Sequence, residues 1–378
     1  MSISCEYKLA FGPQFCVSEC PVNVPCGLFQ YHRATSPDTI PAIDERIIDI
    51  AVLDMNHGWP NLGHDSLVHL VQDTVCDMQN VLRKAGLALR VISYDVRLAG
   101  MLPSKPGDRF RIYLGTGGPA NIDPNWNDGI SVGSQGVTEN PAWEARAFEL
   151  FDAIRNSFDA VLLGVCHTFG TMCRWSGVAQ PVLRPAEKGG KSSGVLENLL
   201  TPEGASHPWF RRFTEYLPDG RRLRILDNRL FDLIPSGPFP EGLTPIAYET
   251  LGIGGPAGDA VTMLEWARDA HGVMPRIFAV NHHPEIVDRS RQLMILERLH
   301  KKGSVSEEWY EERLGLLTGS YPDEDSEQRL TLTSDFTIVA PLRFYIFREI
   351  RLRAEALSQM VSFHEDEILT SEPRSSPT

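Results

Sequence analysis

The run Val161-Leu-Leu-Gly-Val-Cys-His-Thr-Phe-Gly-Thr-Met-Cys173 constrains the fold more than any other stretch. Its apolar first half reads as a buried strand, and the strand breaks at Cys166, where a helix would begin. A side chain held at such a turn is presented at the carboxyl edge of an α/β sheet, beside the first free N–H groups of the helix. Those N–H groups favour a thiolate and can stabilise a developing oxyanion. A free cysteine also packs as a small hydrophobe. A catalytic reading of Cys166 therefore requires partners elsewhere in the chain.

Two distant segments offer them. Arg111-Ile-Tyr-Leu-Gly-Thr-Gly-Gly-Pro-Ala120 reads as a strand followed by a glycine turn, in which the backbone can approach a ligand and aim N–H groups at it. Arg276-Ile-Phe-Ala-Val-Asn-His-His-Pro-Glu285 reads as a strand ending in an imidazole and a carboxylate. A thiol nucleophile needs a base, and the base needs an orienting group; His283 and Glu285 supply both. By strand alternation His282 points away from His283 and is expected to be structural.

Strand-like runs alternate with helical ones. Ile47 to Leu53 is the first expected strand and delivers Asp54 to the carboxyl edge of the sheet, where ligands bind in such folds. A helix over 65 to 85, a strand over 87 to 94, the 111 to 116 strand, a helix opening at Pro141 and the Cys166 strand follow. This rhythm predicts a parallel sheet covered on both faces by helices. Three further runs, 245 to 251, 260 to 268 and 276 to 281, come later, and the last two pair as a hairpin across Asp269 to Met274.

The order Gly-Gly-Pro, Gly-x-Cys, His-Pro-Glu resembles the class I glutamine amidotransferase-like superfamily, over roughly residues 45 to 295. The resemblance implies a flavodoxin-like, mostly parallel α/β sheet, here with N-terminal and C-terminal extensions. It also implies Cys166 as nucleophile, His283 as base, Glu285 as its orienting acid, and the N–H groups of Gly118 and His167 as an oxyanion hole. Gly117, Thr168 and Gly170 fall at the family's substrate-binding positions. The family usually reads Gly-x-Cys-x-Gly-x-Gln. Here Thr168 stands where that glycine is and Gly170 where the glutamine is, which removes a polar side chain that glycine cannot replace.

The implied reaction is hydrolysis of a side-chain amide, glutamine to glutamate and ammonia, through a Cys166 thioester. No synthetase or ATP-binding domain is recognisable on the chain, so ammonia would pass to a separate acceptor protein. Two alternatives stay open. One is an acyl transfer or γ-glutamyl hydrolysis with the same triad, and the other is a binding or regulatory homologue without turnover. No cofactor is called for.

Composition narrows the partners. A net charge of −13 argues against nonspecific binding to nucleic acid or anionic membrane. No apolar run approaches a membrane span, and the N-terminus lacks the features of a signal peptide, which points to a cytoplasmic protein. Seven cysteines without a scaffold pattern fit a reducing compartment. Neither Cys16, Cys20 and Cys26 nor His57, His64 and His69 match a common metal-ligand spacing. Glu187 to Ser193 superficially resembles a phosphate loop, but its spacing fails.

Residues 1 to 43 read as an extension laid over the core, and 44 to 300 as the catalytic domain. Within that domain, 184 to 224 reads as an insertion whose basic residues could touch an anionic substrate or partner. Asn121 to Asn140 reads as a loop beside the glycine turn, on the surface or covering the pocket. Residues 301 to 360 form a helical C-terminal extension, with helices over 304 to 317 and 335 to 357, and 361 to 378 a disordered tail. An apolar helix containing Phe344-Tyr-Ile-Phe347 suggests a homodimer.

Overall fold

The computed structural model describes residues 7–9, 15–17, 27–107, 109–186, 190–217, 219–249, 259–319 and 324–357. The expected tail from 361 onward, Cys20 and Cys26 lie outside these residues, as does the end of the run predicted over 245 to 251.

A sheet of ten strands organises the chain. From one edge to the other its strands are Arg222–Arg229, Ser192–Leu200, Thr244–Glu249, Val261–Arg268, Pro275–Val280, Val161–Val165, Phe110–Gly115, Ile47–Asp54, Ala88–Asp95 and Phe29–Ala34. The last six are mutually parallel. The first four continue the sheet antiparallel, and the 261–268 and 275–280 strands form the expected hairpin. The predicted fold class, an α/β domain with a mostly parallel sheet, is the one observed.

Strand alternation assigns the two faces. Ile50, Val52, Ile112, Leu114, Leu163 and Val165 point to one side, where helices Leu62–Asp77 and Ala340–Ala356 cover them. Ala51, Leu53, Tyr113 and Leu162 point to the other, against helices Ala142–Asn156 and His167–Ser176. Both sides of the central parallel strands are thus buried, which is why these strands are near-continuous apolar runs in the sequence.

Two elements depart from the sequence reading. Phe29–Ala34 pairs in parallel with Ala88–Asp95 as an edge strand, so this part of the expected N-terminal extension belongs to the sheet. Its hydrophobic signal is weak because an edge strand buries fewer of its side chains: only Tyr31 and Ala34 are buried. The helix expected over 65 to 85 divides at Met78 into Leu62–Asp77 and Gln79–Ala85. The Ala340–Ala356 helix buries Leu342, Tyr345, Ile346 and Ile350 within its own chain. Phe344 and Phe347 pack against the same core while staying partly exposed.

Candidate functional site

Val161–Val165 runs between two parallel neighbours and ends abruptly at Cys166, whose backbone adopts φ +48° and ψ −102°. A non-glycine residue rarely takes a positive φ, and such strain persists only where the surroundings enforce it. The enforcement is visible on both sides of the residue. Cys166 N–H donates to the Val280 carbonyl at 2.8 Å, and the helix beginning at His167 follows at once. The side chain turns into a cavity of about 390 Å³ at the carboxyl end of the parallel strands, within the range of small-molecule sites.

His283 reaches the same cavity from the end of the neighbouring strand. Its N–H donates to the Leu226 carbonyl at 2.8 Å, and the following Pro284 carbonyl accepts from Ser334 Oγ at 2.6 Å. Glu285 Oε1 holds His283 Nδ1 at 2.8 Å, with both side chains buried. Nε2 makes no hydrogen bond within ordinary limits and faces the thiol's side of the site. Gly117 lies beside both groups: a Cβ there would lie 2.9 Å from His283 Cε1 and 3.8 Å from Cys166 Sγ. Burial opposes charge on His283, but the Glu285 carboxylate and Cys166 outweigh it and hold the imidazole well above its ordinary range.

The glycine turn is clamped by a residue that sequence reasoning missed. Arg97 makes a fully buried bidentate pair with Glu139 and donates from Nη1 to the carbonyls of Met55 and Pro119. Gly118 passes so close to Met55 that a Cβ would fall 2.2 Å from the Met55 carbonyl oxygen. Only glycine permits that approach. Gly118 and His167 both line the cavity beside Cys166. No motif marks Arg97, because its partners lie 22 to 42 residues away in the chain. Gly63 was missed for the same reason: its Cα faces the Glu285 carboxylate so closely that a Cβ would come within 2.5 Å of Oε1.

Cys166, His167, His283, Gly117, Gly118 and Glu285 are thus brought together. Thr168 and Gly170 are not brought to the cavity. Thr168 is fully buried and donates from Oγ1 to the Thr116 carbonyl at 2.8 Å. Its methyl fills space left by two glycines on adjacent strands: a Cβ on Gly115 or Gly164 would come within 2.3 or 2.9 Å of it. Gly170 faces Ile122, whose Cδ1 would meet an added Cβ at 2.5 Å. Ile122 is itself part of the cavity wall. The loop from 121 to 140 contributes to that wall as well, through Gln135, whose Oε1 accepts from Ala120 N–H at 2.8 Å.

His64 and His69 are held in structural hydrogen bonds. His64 bonds Asp65 and Ser93 on its two ring nitrogens. His69 bonds Gln72, and burial and Arg291 push it down to about 4. His282 is buried with neither ring nitrogen bonded, and burial and His283 push it down to about 3. Among the described residues no group of three or more His, Cys, Asp or Glu side chains is arranged for a metal ion. Nor is any described helix long and apolar enough to cross a membrane.

No family model and no curated protein matches the sequence. The chain is similar in fold to several solved structures. One is a protein designated SMU.1228c, at 15% identity and a TM-score of 0.42 over 79% of this chain and 98% of that one. Another is a GMP synthase component from Thermoplasma acidophilum, at 14% identity and a TM-score of 0.34 over 68% and 98%. A third is the glutaminase domain of Trypanosoma brucei CTPS with bound acivicin, at 9% identity and a TM-score of 0.36 over 62% and 86%. Likenesses at this level carry no inference about activity, which has to be argued from the residues of the site.

Proposed function

We propose that the chain is a thiol-dependent amidohydrolase or acyl-transfer enzyme of the glutamine amidotransferase type, with Cys166 as nucleophile, His283 as general base and acid, and Glu285 as its orienting carboxylate. The observation that carries this reading is the backbone of Cys166. A left-handed φ of +48° at a strand-to-helix turn is costly in itself, by about 1–3 kcal/mol. It sits next to an imidazole that is already held by a carboxylate. A cysteine with only a packing role gains nothing from that combination.

In the proposed reaction the sulfur of Cys166 attacks the amide carbonyl carbon as a thiolate, with its proton on His283. The electron pair of the C=O moves to oxygen, which lies between the N–H groups of Gly118 and His167. The C–N bond then breaks, and the His283 imidazolium supplies the proton that ammonia takes away. Water, deprotonated by His283, attacks the thioester carbon, and the acid and free thiol are released. Glu285 stays ionised throughout and keeps Nδ1 of His283 as the donor toward it, leaving Nε2 for the chemistry. Ammonia, if glutamine is the donor, goes to an acceptor protein.

The acyl-transfer variant is favoured by one feature. Ile122 occupies the space in front of Gly170, so an apolar wall stands where a glutamine-holding amide would be expected. An electrophilic glutamine analogue, followed by intact and peptide mass spectrometry beside Cys166→Ala, separates the two. Exclusive labelling of Cys166 supports the glutaminase form. A Cys166 that ignores the analogue yet reacts with iodoacetamide leaves acyl transfer from another donor, and a Cys166 inert to both would exclude a nucleophilic role.

A further inference from the structure

Part of the cavity lining comes from elements outside the run of parallel strands, and it carries charge that no ion pair among the described residues neutralises. Lys191 immediately precedes the Ser192–Leu200 strand, and Arg313 lies on helix Glu307–Gly319; both line the cavity that contains Cys166. Neither forms an ion pair among the described residues. Arg313 instead lies 5.4 Å from the centre of the Trp309 ring, which also lines the cavity. The third cation there, Arg229, is saturated by Asp227, Asp232 and Glu249.

Two like charges on one wall repel each other. Burial and the Arg313 charge hold Lys191 below its ordinary range, and burial does the same to Arg313. Cys166 is close enough to act electrostatically on Lys191. An anion placed between the cations would relieve the repulsion while remaining within reach of the reacting sulfur. Glu312 is the opposing carboxylate on this wall; it is exposed and makes no ion pair with either cation. Its charge leaves a small net positive balance, which suits a monoanion better than a phosphate dianion.

We propose that Lys191 and Arg313 bind a carboxylate carried by the substrate that Cys166 attacks, making the preferred donor an anionic amide or acyl compound. The inference rests on the nucleophilic reading of Cys166 and adds the charge of the substrate to it. Because the two cations come from the 184 to 224 segment and the C-terminal helices, specificity is built by parts of the chain lying outside the strand framework that holds the nucleophile.

A charge-matched pair of reagents tests this without a known substrate. On the full-length protein, the second-order rate of Cys166 alkylation is measured with iodoacetate and with iodoacetamide, each divided by its rate with free cysteine. The expected normalised preference for iodoacetate is about tenfold, as two cations lining the cavity of the thiol would produce. Lys191→Ala and Arg313→Gln should each lower that preference at least about threefold, slowing iodoacetate more than iodoacetamide. Arg313→Lys should largely keep it. Lys191 is solvent-accessible, so its alanine variant folds even if Arg313→Gln does not. A wild-type preference no different from free cysteine, or variants that slow both reagents equally, overturns the carboxylate site alone. A Cys166 untouched by iodoacetamide removes the nucleophile and the carboxylate site together.

Discussion

Gly117→Ala isolates the geometry of the site from its stability. Gly117 has no positive φ, so alanine suits its backbone and the variant is expected to fold. The added methyl, however, would lie 2.9 Å from His283 Cε1 and 3.3 Å from Cys166 Cβ. Carbon atoms rest at about 3.5–4.0 Å from one another, so His283 has to retreat by roughly 0.6–1 Å. Neither neighbour can yield without loss: Cys166 is pinned by its hydrogen bond to Val280, and His283 by Leu226 and Glu285. A displacement near 1 Å costs up to about a hundredfold in rate, whereas overpacking costs about 1–3 kcal/mol of stability. The assay is the rate of Cys166 alkylation by iodoacetamide from about pH 5 to about pH 9, beside thermal melting. An imidazole displaced from the thiol activates it less well, so the variant's neutral-pH rate should fall at least about tenfold. A folded variant whose profile superimposes on that of the wild type within about twofold would refute the claim that Gly117 sets the spacing between thiol and imidazole.

Other perturbations probe the supports of the site. Thr168→Gly, which restores the residue usual in the resembled superfamily, should destabilise by about 2–3 kcal/mol in urea unfolding; the glycines at 115 and 164 cannot fill the space it vacates, and a neutral result would show that they do not form one packed unit with Thr168. Arg97→Met leaves the Glu139 carboxylate buried without its cation and should cost about 3–5 kcal/mol. The Arg97→Met/Glu139→Leu double variant should recover a good part of that, and strict additivity of the two single effects would contradict their coupling. Acid should weaken the fold through His69 and His282, whose folded values near 4 and 3 lie below the ordinary histidine value. The unfolded chain binds their protons first, so stability falls as pH drops below about 6.5, by about 2 kcal/mol per histidine at about pH 5. His283 has the opposite shift, so its contribution is complete below about pH 6.5 and is lost only as pH rises through its raised folded value. Urea unfolding at about pH 7 and about pH 5 checks the sign, and a His282→Leu variant with an unchanged pH slope would exclude that residue as a source.

Much of this protein was legible in its sequence because the relevant forces act over short stretches. Strands buried on both faces must be largely apolar, and Ile47–Asp54, Ala88–Asp95 and Val161–Val165 announce themselves that way. The His283–Glu285 pair spans two residues, so its hydrogen bond is a local event that the sequence could suggest. What lay hidden was set by partners distant in the chain. Phe29–Ala34 is a strand only because Ala88–Asp95 offers it an edge. Thr168 was read as a substrate position, yet its destination was decided by the absence of side chains at Gly115 and Gly164. Arg97 became the clamp of the glycine turn, and Lys191 and Arg313 became neighbours on one cavity wall, only when separate segments converged. The sequence by itself determined the strand rhythm, the turn that exposes Cys166 and the types of its partners, because hydrophobic periodicity and glycine act locally. Tertiary structure alone decided the distances, the burial that shifts His283, and the charge facing the thiol, because electrostatic and packing energies depend on proximity in space rather than along the chain.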